Sequence, residues 1–157
     1  MIIKVKEGLK LKGHWTIERF NEDGKLIGKS EFDNVFLNSG INEIWKLVCG
    51  NAGTAFTNAL ATIGVGDSTT AEDPAQTDLQ AVTNKTYKGM EASYPTSGTS
   101  QKATFQSSFG SADANYSWQE FVIKNSSSLI CLNRKVSNQG TKVSGQIWVL
   151  TVELSLI

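Results

Sequence analysis

The sequence predicts an all-β fold: a mainly antiparallel β-sandwich or barrel of about eight strands, with one short amphipathic α-helix near residues 39–50. Turn-forming residues recur between short apolar stretches, at the spacing typical of sandwiches and barrels. The C-terminal stretch 143–157 also alternates with a period of two, the pattern of a strand lying over a core. Its apolar face carries Trp148, Leu150, Val152, Leu154 and Leu156. No proline interrupts the stretch, so it is predicted to be a long, central, antiparallel strand.

The chain of 157 residues is long enough for one domain with a substantial core. Residues 1–12 are predicted to be an extended N-terminal arm or an edge strand, in which short apolar runs are broken by charges. Residues 13–157 are predicted to form a single β domain. Chain termini are often loose unless they are tied down, so the arm is a candidate contact with a neighbouring subunit.

A hairpin is predicted over residues 14–32, with strands at 14–20 and 25–32. Asp23 and Gly24 lie between them, and Asp-Gly favours a tight turn because glycine accepts a positive φ.

The helix is predicted over residues 38–50. Asn38 or Ser39 is expected to cap its start, and Gly50 or Asn51 to end it. Apolar residues repeat at i, i+3, i+4 and i+7, which predicts one apolar stripe that packs on an open edge or end of the sheet structure. The stripe consists of Ile41, Ile44, Trp45 and Val48.

The middle of the chain predicts further strands and one long polar loop. The strands are expected near residues 59–65, 83–94, 101–109, 116–124 and 129–136. The loop spans residues 67–80, and a loop of this length in a compact domain is often a contact element.

Composition excludes several classes of function. Lys plus Arg and Asp plus Glu both number 15, which argues against a nucleic-acid partner. No apolar run approaches the roughly twenty residues of a membrane span, and the N-terminus does not resemble a signal peptide. Cys49 and Cys131 are predicted to be buried free thiols, with a disulfide between them as the alternative.

The motifs do not predict a catalytic site. Residues 24–30 resemble a phosphate-binding loop, but only three residues separate its glycines and a hairpin is predicted there. His14 is the single histidine, with no evident partner for acid–base chemistry. We therefore predict a non-enzymatic protein without a cofactor or a metal.

Two groups of side chains are candidates for binding. Four acidic residues lie in the long loop, and a solvated loop is favoured over a calcium site because their spacing is not that of an EF-hand. They are Asp67, Glu72, Asp73 and Asp78. Four aromatic residues could line a sugar-binding face, although core or subunit packing is favoured. They are Tyr87, Tyr94, Tyr116 and Trp118.

Several segments, in order along the chain, resemble a loose group of tailed-bacteriophage virion proteins. The hairpin at 15–26 is followed by Asn34-Val-Phe-Leu-Asn-Ser-Gly-Ile, which is similar to the Asn-x-x-x-Asn-x-Gly-hydrophobic start of a helix in that group. The segment Ala61-Thr-Ile-Gly-Val-Gly, with Asp78-Leu-Gln after the loop, and the closing hairpin at 132–136 and 142–152 also resemble it.

The resemblance implies a virion structural protein, assembled in the host cytoplasm. We expect a capsid decoration protein that binds the outer shell, with the major capsid protein, copies of itself, or both as partners. A tail, baseplate or fibre component and a carbohydrate-binding module are the alternatives. The candidate partner contacts are Ile2, Ile3, Val5, Leu9, Asp67, Glu72, Asp73 and Asp78.

Overall fold

Two antiparallel five-stranded sheets face each other in the computed structural model, which describes residues 10–157. The predicted sandwich is therefore confirmed, although ten strands are present among these residues instead of about eight. The two short strands β3 and β6 were not predicted. The elements are β1 (Leu11–Phe20), β2 (Leu26–Asp33), β3 (Val35–Phe36), α1 (Asn38–Val48), β4 (Ala61–Gly66), β5 (Lys85–Gly89), β6 (Thr96–Thr99), β7 (Lys102–Phe109), β8 (Glu120–Asn125), β9 (Cys131–Val136) and β10 (Ile147–Leu156).

The first sheet has the order β2-β1-β10-β7-β6. The strand β10 is central, as predicted, and every second side chain from Trp148 to Leu154 is buried. It pairs with β1 along its whole length, from Leu11 opposite Leu156 to Phe20 opposite Ile147. The boundary expected at residue 12 falls inside β1, whereas residues 1–9 lie outside the described part of the chain.

The β1–β2 hairpin is also confirmed. Its turn contains Gly24 with φ of +75°, a left-handed conformation that glycine adopts without steric cost. Residues 24–30, which resemble a phosphate-binding loop in sequence, form the end of this turn and the start of β2.

The second sheet has the order β3-β9-β8-β4-β5. Its strands β8 and β4 are almost fully buried, because one face packs on the first sheet and the other is covered by loop and side chains.

An aromatic cluster fills the space between the sheets. The ring centroids of Trp118 and Trp148 are 4.7 Å apart in an edge-to-face arrangement, and Phe121 lies 5.7 Å from Trp15. Such pairs contribute beyond the area that they bury. The core therefore joins β1 and β10 of one sheet to β8 of the other.

The helix α1 packs on β9 with a face that coincides with the predicted stripe only in part. Gly40 and Glu43 are its buried residues, and Ile44 of the stripe packs against the core, whereas Trp45 and Val48 of the stripe are exposed. The reason is the close approach of the backbones: a Cβ on Gly40 would lie 2.4 Å from the carbonyl oxygen of Leu132. Only glycine allows this contact, and it fixes which side of the helix faces the sheet.

The predicted side-chain cap of α1 is wrong. The N-cap residue is Leu37, whose side chain makes no capping hydrogen bond. Its N–H donates to the Leu132 carbonyl at 3.0 Å, and the Asn38 N–H donates to the Pro74 carbonyl at 2.8 Å. Strand and loop carbonyls thus hold the start of the helix. Its end fits the prediction, since Gly50 follows with a φ of +63°.

Both cysteines are free thiols. Cys131 is buried as predicted. The prediction of a buried Cys49 is wrong, because this residue is the C-cap of α1 on the exposed side of the helix.

Candidate functional site

A mainly apolar groove lies at one end of the sandwich, where β1 begins and β10 ends. Its volume is about 770 Å³. The two sheets supply its sides, α1 and the segment after it supply a third wall, and the β6–β7 turn lines the rim. We call it the end groove; its apolar lining includes Leu11, Phe36, Ile44, Leu47, Phe56, Phe105, Leu132, Leu154 and Leu156.

The groove forms because α1 lies against β9 without filling the space between the sheets. Glu43, rather than a large apolar residue, occupies the buried side of the helix. Its carboxylate accepts a hydrogen bond from the Thr54 N–H at 2.6 Å and lies 3.4 Å from the Lys46 amine. The hydrogen bond from Thr54 fastens the helix to the segment that follows it, whereas the Lys46 contact lies within the helix. Ile44 and Leu47 are left as the wall of an open apolar cleft.

The outer side of α1 carries an apolar patch. Trp45 is 62% exposed and Val48 is 69% exposed, and residues three apart on a helix are neighbours. Single exposed apolar residues are normal, but tryptophan is enriched in interfaces and among their energetic hot spots. We call this pair the helix patch.

The acidic loop does not project into solvent, because a buried ion pair holds it on the second sheet. Glu120 and Arg134 are both fully buried, with 2.7 Å between Arg134 Nη2 and Glu120 Oε2. The Glu120 carboxylate also accepts the N–H groups of Gln80 and Ala81 at 2.8 and 2.7 Å. The guanidinium donates to the Thr70 carbonyl at 2.9 Å. Both ends of the loop are thereby tied to β8 and β9.

Asp78 is a second anchor of the loop. Its carboxylate accepts hydrogen bonds from the Tyr87 hydroxyl at 2.5 Å and from the Lys124 amine. Burial alone would raise the pKa of Asp78, but the hydrogen bonds from Lys124 and Tyr87 outweigh it and lower that pKa. Burial, and then the Asp78 charge, raise the pKa of the adjacent Cys131 thiol to about 12. This thiol is therefore unreactive in the folded protein.

The other predicted acidic contacts have separate local partners. Glu72 accepts the Val136 N–H at 2.9 Å and lies 3.1 Å from the Lys135 amine. Asp67 accepts a hydrogen bond from Asn84, and Asp73 accepts one from the Ala75 N–H within its own turn. Within residues 10–157, no group of three or more His, Cys, Asp or Glu side chains is placed to hold a metal ion.

The candidate partner contacts thus fall into two sets. Ile2, Ile3, Val5 and Leu9 lie outside the described residues. Three of the four acidic residues bind groups elsewhere in the domain, and Asp73 remains exposed at the turn. Their role as partner contacts stays a prediction.

The four aromatic residues do not form an exposed sugar-binding face, because Trp118 is buried and Tyr87, Tyr94 and Tyr116 are half-buried. Trp118 is fully buried, and its Nε1–H donates to the Ala114 carbonyl. The Tyr116 hydroxyl donates to the Val65 carbonyl and bonds to Thr86, and the Tyr87 hydroxyl is engaged by Asp78. Packing, the favoured interpretation, is thus confirmed for Trp118.

The end groove and the helix patch were not recognised from the sequence. The one available signal was Gly40, a poor helix former in the middle of a predicted helix, where glycine often marks a close backbone approach. It would have indicated that the face of α1 packed on the sheet differs from the apolar stripe.

Comparisons of the chain with protein-family models, with curated proteins and with solved structures find no match. The helical segments of residues 10–157 include none with the length and apolar character needed to cross a membrane.

Proposed function

We propose that the protein is a non-enzymatic structural component of a bacteriophage virion, a capsid decoration protein that binds the outer shell. The observation that carries the proposal is the helix patch. A tryptophan and a valine lie exposed side by side on a helix that is rigidly fastened to the sandwich, which is the form of a docking surface rather than of a catalytic cleft.

Three further features support this proposal. The resemblance of the sequence to phage virion proteins extends over most of the chain in the same order. Three of the four acidic loop residues, Asp67, Glu72 and Asp78, are engaged by groups elsewhere in the domain. The domain has no net charge, and ion pairs and hydrogen bonds hold its long loop on the second sheet. Such a domain suits a subunit that is repeated many times on a shell, because many modest contacts add up to stable binding.

Binding to assembled shells tests the proposal. The purified chain is mixed with mature heads of the phage that encodes it, and bound protein is measured by sedimentation. We expect saturable co-sedimentation, which weakens about 30-fold in the Trp45→Ala variant, since loss of an interface tryptophan typically costs about 2 kcal/mol or more.

A matched pair of valines provides the control. Val48→Ser is expected to weaken binding by several-fold, whereas Val82→Ser should leave it unchanged, because Val82 is 93% exposed but lies just before β5 and is not part of the helix patch. Binding to purified tails but not to heads would replace the decoration proposal by the tail, baseplate or fibre alternative. Binding to neither would refute a structural role in the virion.

A further inference from the structure

We propose that the end groove receives residues 1–9 of a neighbouring copy of the same chain. The inference concerns contact between copies and does not depend on a role in a virion. It rests on the chemistry of the groove, on where the described chain begins, and on the sequence of the preceding residues.

The groove needs an apolar, extended occupant. Its lining is dominated by aliphatic and aromatic side chains of both sheets and α1. Lys102 is the one charged residue that lines it among residues 10–157, and its amine lies 2.9 Å from Glu153 Oε1. The groove therefore offers apolar area with little free charge, and a polar peptide would lose hydration there without compensation.

The described chain begins at the mouth of the groove. Lys10 is the first described residue, and Leu11 lines the groove together with Leu156. Nine preceding residues can span at most about 30 Å in extended form. A segment of this length can therefore extend well beyond the end of its own domain.

The sequence of residues 1–9 fits such a groove. In an extended segment Met1, Ile3 and Val5 form the apolar part of one face, which continues to Glu7, and Lys4 and Lys6 share the other face with Ile2. The apolar face can enter the groove while the lysines remain in water. Leu9 adds a further apolar residue, adjacent in sequence to Lys10.

The geometry at residue 10 favours entry into the groove of a neighbouring copy over entry into the groove of the same chain. The Lys10 N–H donates to the Ile157 carbonyl at 2.6 Å, and the Ile157 N–H donates to the Lys10 carbonyl at 3.1 Å. The ladder between β1 and β10 thus continues through residue 10, the first described residue. A segment that kept the direction of β1 beyond residue 10 would pass the end of its own sandwich, and it would reach a neighbour's groove without reversing.

Disulfide trapping distinguishes the two arrangements. In a Cys49→Ser background, one full-length version carries Val5→Cys and a second version, with a tag that changes its size, carries Leu47→Cys. We expect a heterodimer after mild oxidation of the mixture. With Ile27→Cys in place of Leu47→Cys, we expect the heterodimer to be at least tenfold less abundant, because Ile27 lies exposed towards the opposite end of the sandwich.

Two results would overturn the inference. One is that the mixture forms no heterodimer, while a single chain that carries both Val5→Cys and Leu47→Cys forms an internal disulfide. The other is the absence of any cross-link together with a monomer in sedimentation velocity.

Sedimentation velocity also tests the groove without cysteines. Leu47→Glu is expected to raise the dissociation constant of self-association at least tenfold, and Ile27→Glu to leave it unchanged. Both positions are partly exposed, and circular dichroism verifies that each variant is folded. Equal association of the two variants would contradict the inference.

Discussion

The buried ion pair that holds the acidic loop leads to a strong prediction about stability. In Arg134→Met, the guanidinium is replaced by an apolar side chain of similar length. The change removes two bonds to Glu120 Oε2, at 3.0 and 2.7 Å, and one to Gln76 Oε1 at 2.8 Å. The Thr70 carbonyl also loses its donor.

The size of the expected loss in the free energy of unfolding follows from the contacts that Glu120 retains. The Glu120 carboxylate stays fully buried with only two backbone N–H donors. Removing one partner of a buried ion pair typically costs about 3–5 kcal/mol, because an uncompensated charge is left in a dry environment. For a chain of this size, that corresponds to a fall in Tm of roughly 6–20 °C.

Urea unfolding followed by tryptophan fluorescence measures the loss. Lys102→Met is the control, because it breaks a pair of partly exposed residues, Lys102 and Glu153, which is expected to contribute at most about 1 kcal/mol. The double variant Glu120→Leu/Arg134→Met should recover part of the stability lost in Arg134→Met, since no buried charge remains unpaired. A loss in Arg134→Met within about 1 kcal/mol of the control would refute the reasoning.

Two further predictions concern Asp78 and the cysteines. Because the folded state lowers the pKa of Asp78, its contribution to the free energy of unfolding is complete above its ordinary value and is lost as the pH falls below about 4. Acid titration of stability should therefore be shallower in Asp78→Asn than in the unmodified protein. Equal slopes in the two proteins would contradict the assignment. With a thiol reagent, the exposed Cys49 should react at once, whereas the buried Cys131 should react only at the rate of unfolding. Rapid modification of both thiols in the native protein would contradict the burial of Cys131 beside Asp78.

The strands and the first hairpin could be predicted from the sequence because their causes are local. Alternation from Trp148 to Leu154 marks a buried face whatever the partner strands are, and Asp23-Gly24 favours a tight turn without tertiary help. The short strands β3 and β6 escaped prediction because two or four residues carry too little periodicity.

The orientation of α1 could not be predicted in the same way. The apolar stripe correctly marked a helix, but Gly40 allows the backbone to approach Leu132 more closely than any side chain would. The helix therefore turns Glu43 inward and leaves Trp45 and Val48 outside. The helix patch and the end groove both result from this one close contact.

The sequence by itself thus determined the antiparallel all-β class, as a sandwich or a barrel, the central place of the last strand and the long acidic loop. Only the tertiary structure decided that this loop is held on the second sheet, because the residues that bind it, Glu120 and Arg134, are distant in the sequence. Arg134 and Glu120 meet only through the register of β8 with β9, in which Val122 lies opposite Arg134 and Glu120 opposite Val136. A local pattern identifies a strand but not its register, and it is the register that decides whether two charges are paired in the dry interior or exposed to solvent.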